Sequence, residues 1–331
     1  MPNLDFAEGL RSILTMSERC SSSAKGAFEA IVSSNKQIGK RFYRVRLEFS
    51  ANGASAFADF RPGQFAELDL SSTALPAAEN IPEDLHDAAE RNILLRRPFS
   101  FTDVTADRDK TFADLLYCVV GPATLRMTTL STDDSVSVIG PLGNGFLVPD
   151  GKRTALLIAG GMGVPPLLHL AKHLTSDFRA TKIDVIAFAG AKMAKELPFE
   201  GRLDEISQQL GFSIPEFARY GIESLLATDD GSTGYHGFVT DCLAEWLGQT
   251  DLAAKDIVIY SCGPEPMLAR MAEIAKDKNI DCQLSMERRM ACGIGLCQSC
   301  AVECRVEGSN ETVYKMCCKD GPVFDSREVV F

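Results

Sequence analysis

The stretch MACGIGLCQSC, residues 290–300, is the most informative part of this chain. It spaces Cys292, Cys297 and Cys300 as C-x4-C-x2-C, with glycines between the first two cysteines. This spacing is typical of a [2Fe–2S] cluster, because one tight loop can present three of the four thiolates that the cluster needs. A zinc ribbon is the alternative, but zinc sites usually show paired C-x2-C arms, and this loop has only one. We therefore predict a cluster site.

The fourth ligand must return from elsewhere in the chain. Cys317 and Cys318 are the candidates, and Cys304 is a further cysteine nearby. Neighbouring residues on an extended segment point to opposite sides, so only one of Cys317 and Cys318 can face the irons. The chain holds eleven cysteines, and six of them fall in the last forty residues. Such crowding in a large chain favours a metal or cluster site over disulfides.

Two glycine-containing turns follow apolar runs in the middle of the chain. IAGGMGVPPL (158–167) and SCGPEPM (261–267) each read as the end of a buried strand and the start of a helix. Alternating strands and helices indicate an open parallel sheet, whose carboxyl edge binds ligands. Because glycine has no side chain, the backbone of these turns can approach a diphosphate bound at the start of the helix. The residues predicted to bind a nicotinamide nucleotide are Gly160, Gly161, Gly163, Cys262, Gly263 and Pro264.

Within the second turn, Cys262 has two interpretations. It could lie near the nicotinamide, or it could be a buried structural thiol at a strand end. Further along the sheet, Asp229 and Asp230 could bind the adenine-ribose hydroxyls, which would favour NAD over NADP, or they could stabilise a turn. The spacing of His169 and His173 on one predicted helix gives no metal site, and we expect that pair at the surface.

Domain organisation follows from changes in the pattern. Residues 26–150 alternate apolar and polar residues in short runs, which predicts a small antiparallel β-barrel, and 71–92 read as an inserted loop. Residues 151–275 carry the parallel sheet, and 276–331 form a cysteine-rich segment too short for a core of its own. Residues 1–25 read as an N-terminal extension.

Bulk properties exclude some classes of function. The formal net charge of −11 and the lack of a Lys/Arg run argue against nucleic-acid binding. No apolar stretch approaches the length of a membrane span, and the N-terminus does not read as a signal peptide. We expect a cytoplasmic protein that binds neither nucleic acid nor membrane.

Several motifs resemble those of the ferredoxin-reductase superfamily. Within it, the chain is similar to the electron-transfer subunit family of NAD-linked dihydroorotate dehydrogenases, from about residue 27 to the C-terminus. The motifs that carry the resemblance are LLRRPFS (94–100), GPLGNGF (140–146), AGGMGVPPL, SCGPEPML, MERRMACGIGLCQSC and CCKDGPVF (317–324).

The resemblance implies three modules: an FAD-binding antiparallel β-barrel, a parallel-sheet nucleotide-binding domain and a C-terminal [2Fe–2S] loop domain. It implies that Cys292, Cys297, Cys300 and Cys318 hold the cluster, because the family's last ligand immediately precedes the x-D-G-P-V-F stretch. The FAD contacts that it implies are Arg97, Pro98, Phe99, Ser100, Leu116, Tyr117, Cys118, Ala123 and Thr124.

The function implied by the resemblance is electron transfer in pyrimidine biosynthesis. Electrons would move between NAD(H), FAD and the cluster, to or from the FMN of a separate dihydroorotate dehydrogenase catalytic subunit, in a heterotetramer. One alternative is the same module in a hydrogenase, a sulfide-linked reductase or a ferredoxin:NADP oxidoreductase complex. A second alternative is a cluster-bearing redox sensor. Hydrolysis is not supported, because the sequence shows no nucleophile with a matched base.

Overall fold

The fold is described from a computed structural model, in which residues 25–176, 182–199 and 214–331 are described. Residues 1–24 of the predicted N-terminal extension lie outside these ranges. Within the described ranges, no helix combines the length and the apolar character that a membrane span requires.

The N-terminal half forms an antiparallel sheet in the order β4-β3-β7-β1-β2-β6-β5. The edge strands β4 and β5 are separated in sequence only by Phe101 and Thr102, so the sheet curls until its two edges approach each other. The predicted antiparallel barrel is thus confirmed as a strongly curled sheet. Its elements are β1 (Gly26–Gln37), β2 (Phe42–Ser50), α1 (Ala51–Ala58), β3 (Phe65–Leu68), α2 (His86–Ala89), β4 (Arg97–Ser100), β5 (Asp103–Asp107), β6 (Lys110–Cys118), α3 (Pro122–Met127) and β7 (Ser135–Leu142).

Period-two patterning explains the core of this sheet. On β2, Val45, Leu47 and Phe49 are all buried, as alternate residues of a half-buried strand should be. Phe49 stacks on Phe57 with ring centroids 4.0 Å apart. Phe57 belongs to α1, a helix that the sequence did not predict, because its small residues ANGASAFA show no clear helical period.

The second sheet has the order β11-β10-β9-β8-β12-β13-β16, with β16 antiparallel to β13 and the other neighbours parallel. Every residue of β8 and β12 is buried, as central strands of a parallel sheet require. The elements are β8 (Thr154–Gly160), α4 (Val164–Thr175), β9 (Asp184–Ala191), α5 (Pro215–Ala218), β10 (Glu223–Thr228), β11 (Tyr235–His236), α6 (Val239–Gln249), β12 (Ile257–Cys262), α7 (Glu265–Lys278), β13 (Asp281–Ser285) and β16 (Val323–Asp325).

The expectation that His169 lies at the surface is wrong. The side chain is buried and stacks on Phe60, with ring centroids 5.9 Å apart. Burial lowers the pKa of His169 to about 3, so the imidazole is neutral. From the same helix α4, the Nζ of Lys172 donates to Asp103 Oδ1 on β5 at 2.5 Å. These contacts fix the second sheet against the first.

The cysteine-rich segment does not stand apart from the rest of the chain. Its strands β13 and β16 complete the edge of the second sheet, while β14 (Ala301–Arg305) and β15 (Thr312–Met316) form a hairpin. Asn144, in the GPLGNGF motif, ties the same segment to the first sheet. Its Nδ2 donates to Asp320 O at 3.0 Å and to Val323 O at 2.8 Å, and its Oδ1 accepts from Val323 N at 2.9 Å.

We predict that Asn144→Ala loosens the segment around Val323. The variant loses three side-chain hydrogen bonds, each with a net contribution of about 1 kcal/mol, so unfolding free energy should fall by roughly 2–3 kcal/mol. Hydrogen exchange at residues 320–325 should accelerate.

Asn35→Ala is the matched control, because Asn35 also makes three side-chain hydrogen bonds, but within the first sheet's domain (Met127 O, Leu130 O and Tyr117 OH). It should lower the free energy of unfolding without selectively accelerating hydrogen exchange at residues 320–325. If hydrogen exchange at these residues accelerates equally in both variants, Asn144 has no docking role.

Candidate functional site

A cavity of about 340 Å³ opens between the two sheets and the cysteine-rich segment. This volume falls in the range of small-molecule sites. Its first wall comes from the curled sheet and contains most of the residues predicted to contact FAD. They are Pro98, Phe99, Ser100, Leu116, Tyr117, Cys118 and Thr124.

The other two walls come from distant parts of the chain. Met162, Pro165 and Cys262 belong to the two glycine turns of the second sheet. The segment Ser285–Arg288, together with Met290, approaches from the opposite side and leads directly into the cysteine loop. One cavity therefore brings residues predicted to bind the flavin and the nucleotide together with the segment that leads into the cysteine loop. We call it the central cavity.

The lining of the central cavity fits a flavin ring. Phe65, Tyr117 and Met286 supply flat or adaptable apolar surface, while Ser100 and Thr124 supply hydroxyl groups. A mostly apolar wall with a few polar groups suits a planar ring system that has a polar edge. The Thr124 Oγ1 already accepts from Val120 N at 3.0 Å and Gly121 N at 3.2 Å, which fixes the turn before α3.

Two predicted FAD residues do not line the central cavity. Ala123 is buried in the core of the first sheet. The Nη1 of Arg97 donates to Leu95 O at 2.7 Å and to Arg96 O at 3.1 Å, so this guanidinium folds back on the two residues that precede β4. Its neighbour Arg96 has a structural role, because it donates to Ser137 O at 2.8 Å. A diphosphate contact by Arg97 would require a different rotamer.

The two glycine turns pack directly against each other. A Cβ on Gly163 would lie 1.9 Å from Cys262 O, and a Cβ on Gly160 would lie 2.5 Å from Met267 Sδ. Gly263 is equally confined, since its Cβ would lie 2.7 Å from Met267 Cε. Only Gly161, at φ +52°, would place a Cβ in open space. Gly160, Gly163 and Gly263 therefore allow close packing, and Gly161 leaves room for a ligand.

A second cavity of about 800 Å³ lies at the carboxyl edge of the parallel sheet, where Gly160, Gly161 and Pro264 line it as predicted. We call it the edge cavity. Asp229 also lines it, and burial raises the pKa of that carboxyl group. Asp230 instead accepts from Ser232 N at 2.9 Å, which is the turn-stabilising role. Asp230 therefore stabilises a turn, whereas Asp229 lies where a bound nucleotide could reach it.

Cys262 is a buried thiol at the wall of the central cavity. Burial strongly raises its pKa, which makes it a poor nucleophile. Cys262 is therefore a structural thiol that also lines the central cavity, and its proximity to the nicotinamide stays a prediction.

The cysteine loop presents its thiols in pairs. Cys292 and Cys297 form one pair, in which Cys297 N donates to Cys292 Sγ at 3.4 Å. Cys300 and Cys318 form the other, in which Cys318 N donates to Cys300 Sγ at 3.5 Å. In residues 25–176, 182–199 and 214–331, no three His, Cys, Asp or Glu side chains converge as ligands of a single ion. Two pairs of thiols fit a two-iron cluster better than one zinc ion.

Cys317 and Cys318 face different partners. The Cys317 Sγ donates to Met286 O at 3.3 Å, and burial raises the pKa of this thiol to about 12. Cys318 contacts Cys300 and lies near Cys292. Cys304 is on β14, where its charged neighbours are Glu328, Lys315 and Asp320. This geometry supports Cys318 as the fourth ligand.

Sequence reasoning missed Glu67, which lies beneath the cysteine loop. The side chain is buried, and a Cβ on Gly293 would lie 2.4 Å from its carboxyl group. Gly293 has φ +64°, so both conformation and space require glycine there. Burial raises the pKa of Glu67, although Arg96 and Arg97 oppose that shift. No local motif marks Glu67, because its importance comes from a residue 226 positions away.

Comparisons with known proteins agree with this geometry. Residues 287–330 match the iron-sulfur cluster binding domain of dihydroorotate dehydrogenase B, and residues 157–273 match the oxidoreductase NAD-binding domain. The chain is 36% identical over 302 residues to the "Dihydroorotate dehydrogenase B (NAD(+)), electron transfer subunit" of Bacillus caldolyticus, covering 90% of this chain and 96% of the relative.

A relative of the same name from Caldanaerobacter subterraneus subsp. tengcongensis is 32% identical over 303 residues, covering 92% of this chain and 98% of the relative. Among solved structures, the NADH-dependent reduced ferredoxin-NADP oxidoreductase has a similar fold, with a TM-score of 0.66 at 22% identity. That alignment covers 91% of this chain and 89% of the other.

We predict that Cys318→Ser and Cys317→Ser behave differently. Cys318→Ser removes a thiolate from the pair with Cys300, so iron and sulfide content should fall or the EPR signal should change markedly. Cys317→Ser keeps a donor toward Met286 O and should leave both measurements close to wild type. Loss of iron in Cys317→Ser with retention in Cys318→Ser would show that the ligand is the other residue.

Proposed function

The chain belongs to the family of dihydroorotate dehydrogenase B (NAD+) electron-transfer subunits, and we propose that it carries electrons between NAD(H) and a partner catalytic subunit. It would do so through bound FAD and a [2Fe–2S] cluster. The observation that carries this proposal is the central cavity, whose walls come from the curled sheet, the glycine turns and the segment leading into the cysteine loop.

The chemistry requires a converter between hydride and single-electron transfer. Flavin supplies that chemistry when bound, because it handles both two-electron and one-electron steps, whereas nicotinamide takes only a hydride. The protein residues orient and isolate the reacting groups. Cys262 and Met162 line the side that adjoins the glycine turns, where the nicotinamide would enter. Met286 and Met290 line the side that adjoins the cysteine loop.

The partner would bind where the cluster reaches the surface. Cys297 is exposed, and the loop also exposes Ile294 and Leu296, the latter by 78%. Exposed apolar side chains beside a redox centre are suited to a protein interface. We propose that an FMN-containing catalytic subunit acting on dihydroorotate binds there, in a heterotetramer.

We also propose that the chain divides into modules at residues 26–150, 151–275 and 276–331. Strands β13 and β16 of the last module join the second sheet.

The test begins with anaerobic purification and analysis of FAD, iron and sulfide. We expect about one FAD and two irons per chain. NADH should bleach the flavin rapidly, and reduction of the cluster should follow. A dihydroorotate-oxidising flavoprotein should co-purify with the chain. Zinc in place of iron would contradict the cluster proposal, and nucleotide binding without flavin reduction would favour a redox sensor.

We further predict that Asp229 sets the preference for NADH over NADPH. A carboxylate can accept hydrogen bonds from ribose hydroxyls and repels a ribose phosphate. Asp229→Ala should therefore reduce the ratio of kcat/KM for NADH to that for NADPH by about ten- to a hundredfold, as expected for loss of hydrogen bonds to a charged group. Steady-state kinetics with an artificial acceptor would measure the ratio.

Asp230→Asn is the control for this prediction. Its Oδ1 accepts from Ser232 N and it does not line the edge cavity, so the cofactor preference should stay unchanged. If Asp229→Ala leaves the ratio at the wild-type value, Asp229 does not contact the ribose.

A further inference from the structure

A third cavity, of about 540 Å³, connects the other two. It shares Cys118, Val120 and Met162 with the central cavity. It shares Gly161 and Glu196 with the edge cavity. We call this cavity the bridging groove. A molecule that extends from the ring site to the carboxyl edge of the parallel sheet passes through it.

The bridging groove gathers positive charge in a chain of formal net charge −11. Lys40 and Arg41 come from the turn between β1 and β2, and Lys195 comes from the short turn after β9. These cations belong to different sheets and converge only in the folded chain. Glu196 is the acidic residue in the lining. A cleft with concentrated positive charge attracts an anionic ligand despite an opposite net charge.

Arg41 has an acidic partner from outside the groove. Its guanidinium forms an ion pair with Asp84, which lies in the inserted loop 71–92, and Lys40 also lies near Asp84. The side chains of Arg41 and Asp84 are 34% and 60% exposed. Such exposed pairs contribute little to stability, so a stronger anion can replace the carboxylate. A diphosphate is such an anion, because its oxygens match the planar donors of arginine.

We propose that Lys40, Arg41 and Lys195 bind the diphosphate of a dinucleotide in the bridging groove, and that Asp84 competes for Arg41. This inference rests on the proposed function, which supplies two dinucleotides, FAD and NAD(H). Both molecules have a diphosphate at their middle. The bridging groove lies between the ring site and the edge of the parallel sheet, so it would hold this middle part.

Because Asp84 competes with the ligand, removing a cation and removing Asp84 should change dinucleotide affinity in opposite directions. Arg41→Gln and Lys195→Gln each remove a positive charge and should weaken dinucleotide binding about three- to tenfold. Asp84→Asn removes the competitor and should strengthen binding about two- to threefold. If the Arg41–Asp84 pair is only structural, Arg41→Gln and Asp84→Asn should lower the melting temperature alike and leave binding unchanged.

Two measurements on the purified holoprotein distinguish the dinucleotides. FAD retention after dialysis reports the flavin, and the concentration dependence of flavin bleaching in rapid mixing reports the Kd for NADH. A change in FAD retention alone assigns the groove to FAD, and a change in the Kd for NADH alone assigns it to NAD(H). Unchanged values in both, or a loss of affinity in Asp84→Asn, would overturn the proposal.

Arg46→Gln is the matched control. Arg46 lies in the middle of β2 and, like Arg41, pairs with an aspartate, Asp114, at 2.7 Å, but it lines none of the three cavities. It should change neither measurement. Wild-type protein that NADH fails to bleach would instead refute the proposed function, so the two failures are distinguishable.

Discussion

The attachment of the cysteine-rich segment at two points is the constraint on which the site depends. Strand β13, which also pairs with β16, joins the second sheet by pairing with β12, and Asn144 holds Asp320 and Val323 against the first sheet. Between these anchors, the chain forms both a wall of the central cavity and the cysteine loop. Because electron transfer depends on how the fold positions the cofactors, this attachment decides whether ring and cluster are neighbours.

Close backbone packing is the second requirement. The carbonyl of Cys262 occupies the space that a side chain on Gly163 would need, and Met267 covers Gly160. The two turns consequently open toward the same ligand space at the carboxyl edge of the sheet. The same packing sets Cys262 in the wall of the central cavity, although its thiol is too buried to react.

Charge is distributed unevenly between surface and cleft. The chain is acidic overall, yet three cations from two modules meet in the bridging groove. A buried carboxylate, Glu67, lies instead beneath the cysteine loop, where its neighbours Arg96 and Arg97 offset part of its charge. Local electrostatics in this protein therefore follow the folded arrangement of residues and not the net charge.

The sequence by itself determined the modules and the chemistry. Period-two runs indicated the first sheet, buried apolar runs ending in glycine indicated the second, and C-x4-C-x2-C indicated the cluster, because each of these signals is local. Helix α1 gave no such signal, and His169 was expected at the surface because the sequence offers it no third metal ligand. Only the tertiary structure decided that the Cys317 thiol donates to Met286 O while Cys318 N donates to Cys300 Sγ. It also decided that Arg97 folds back on the residues before its strand, and that Gly163 serves packing. Only the fold, likewise, brought Glu67 to Gly293 and Arg41 to Lys195. These relations join residues far apart in the chain, and sequence periodicity reports only which side of its own element a residue occupies.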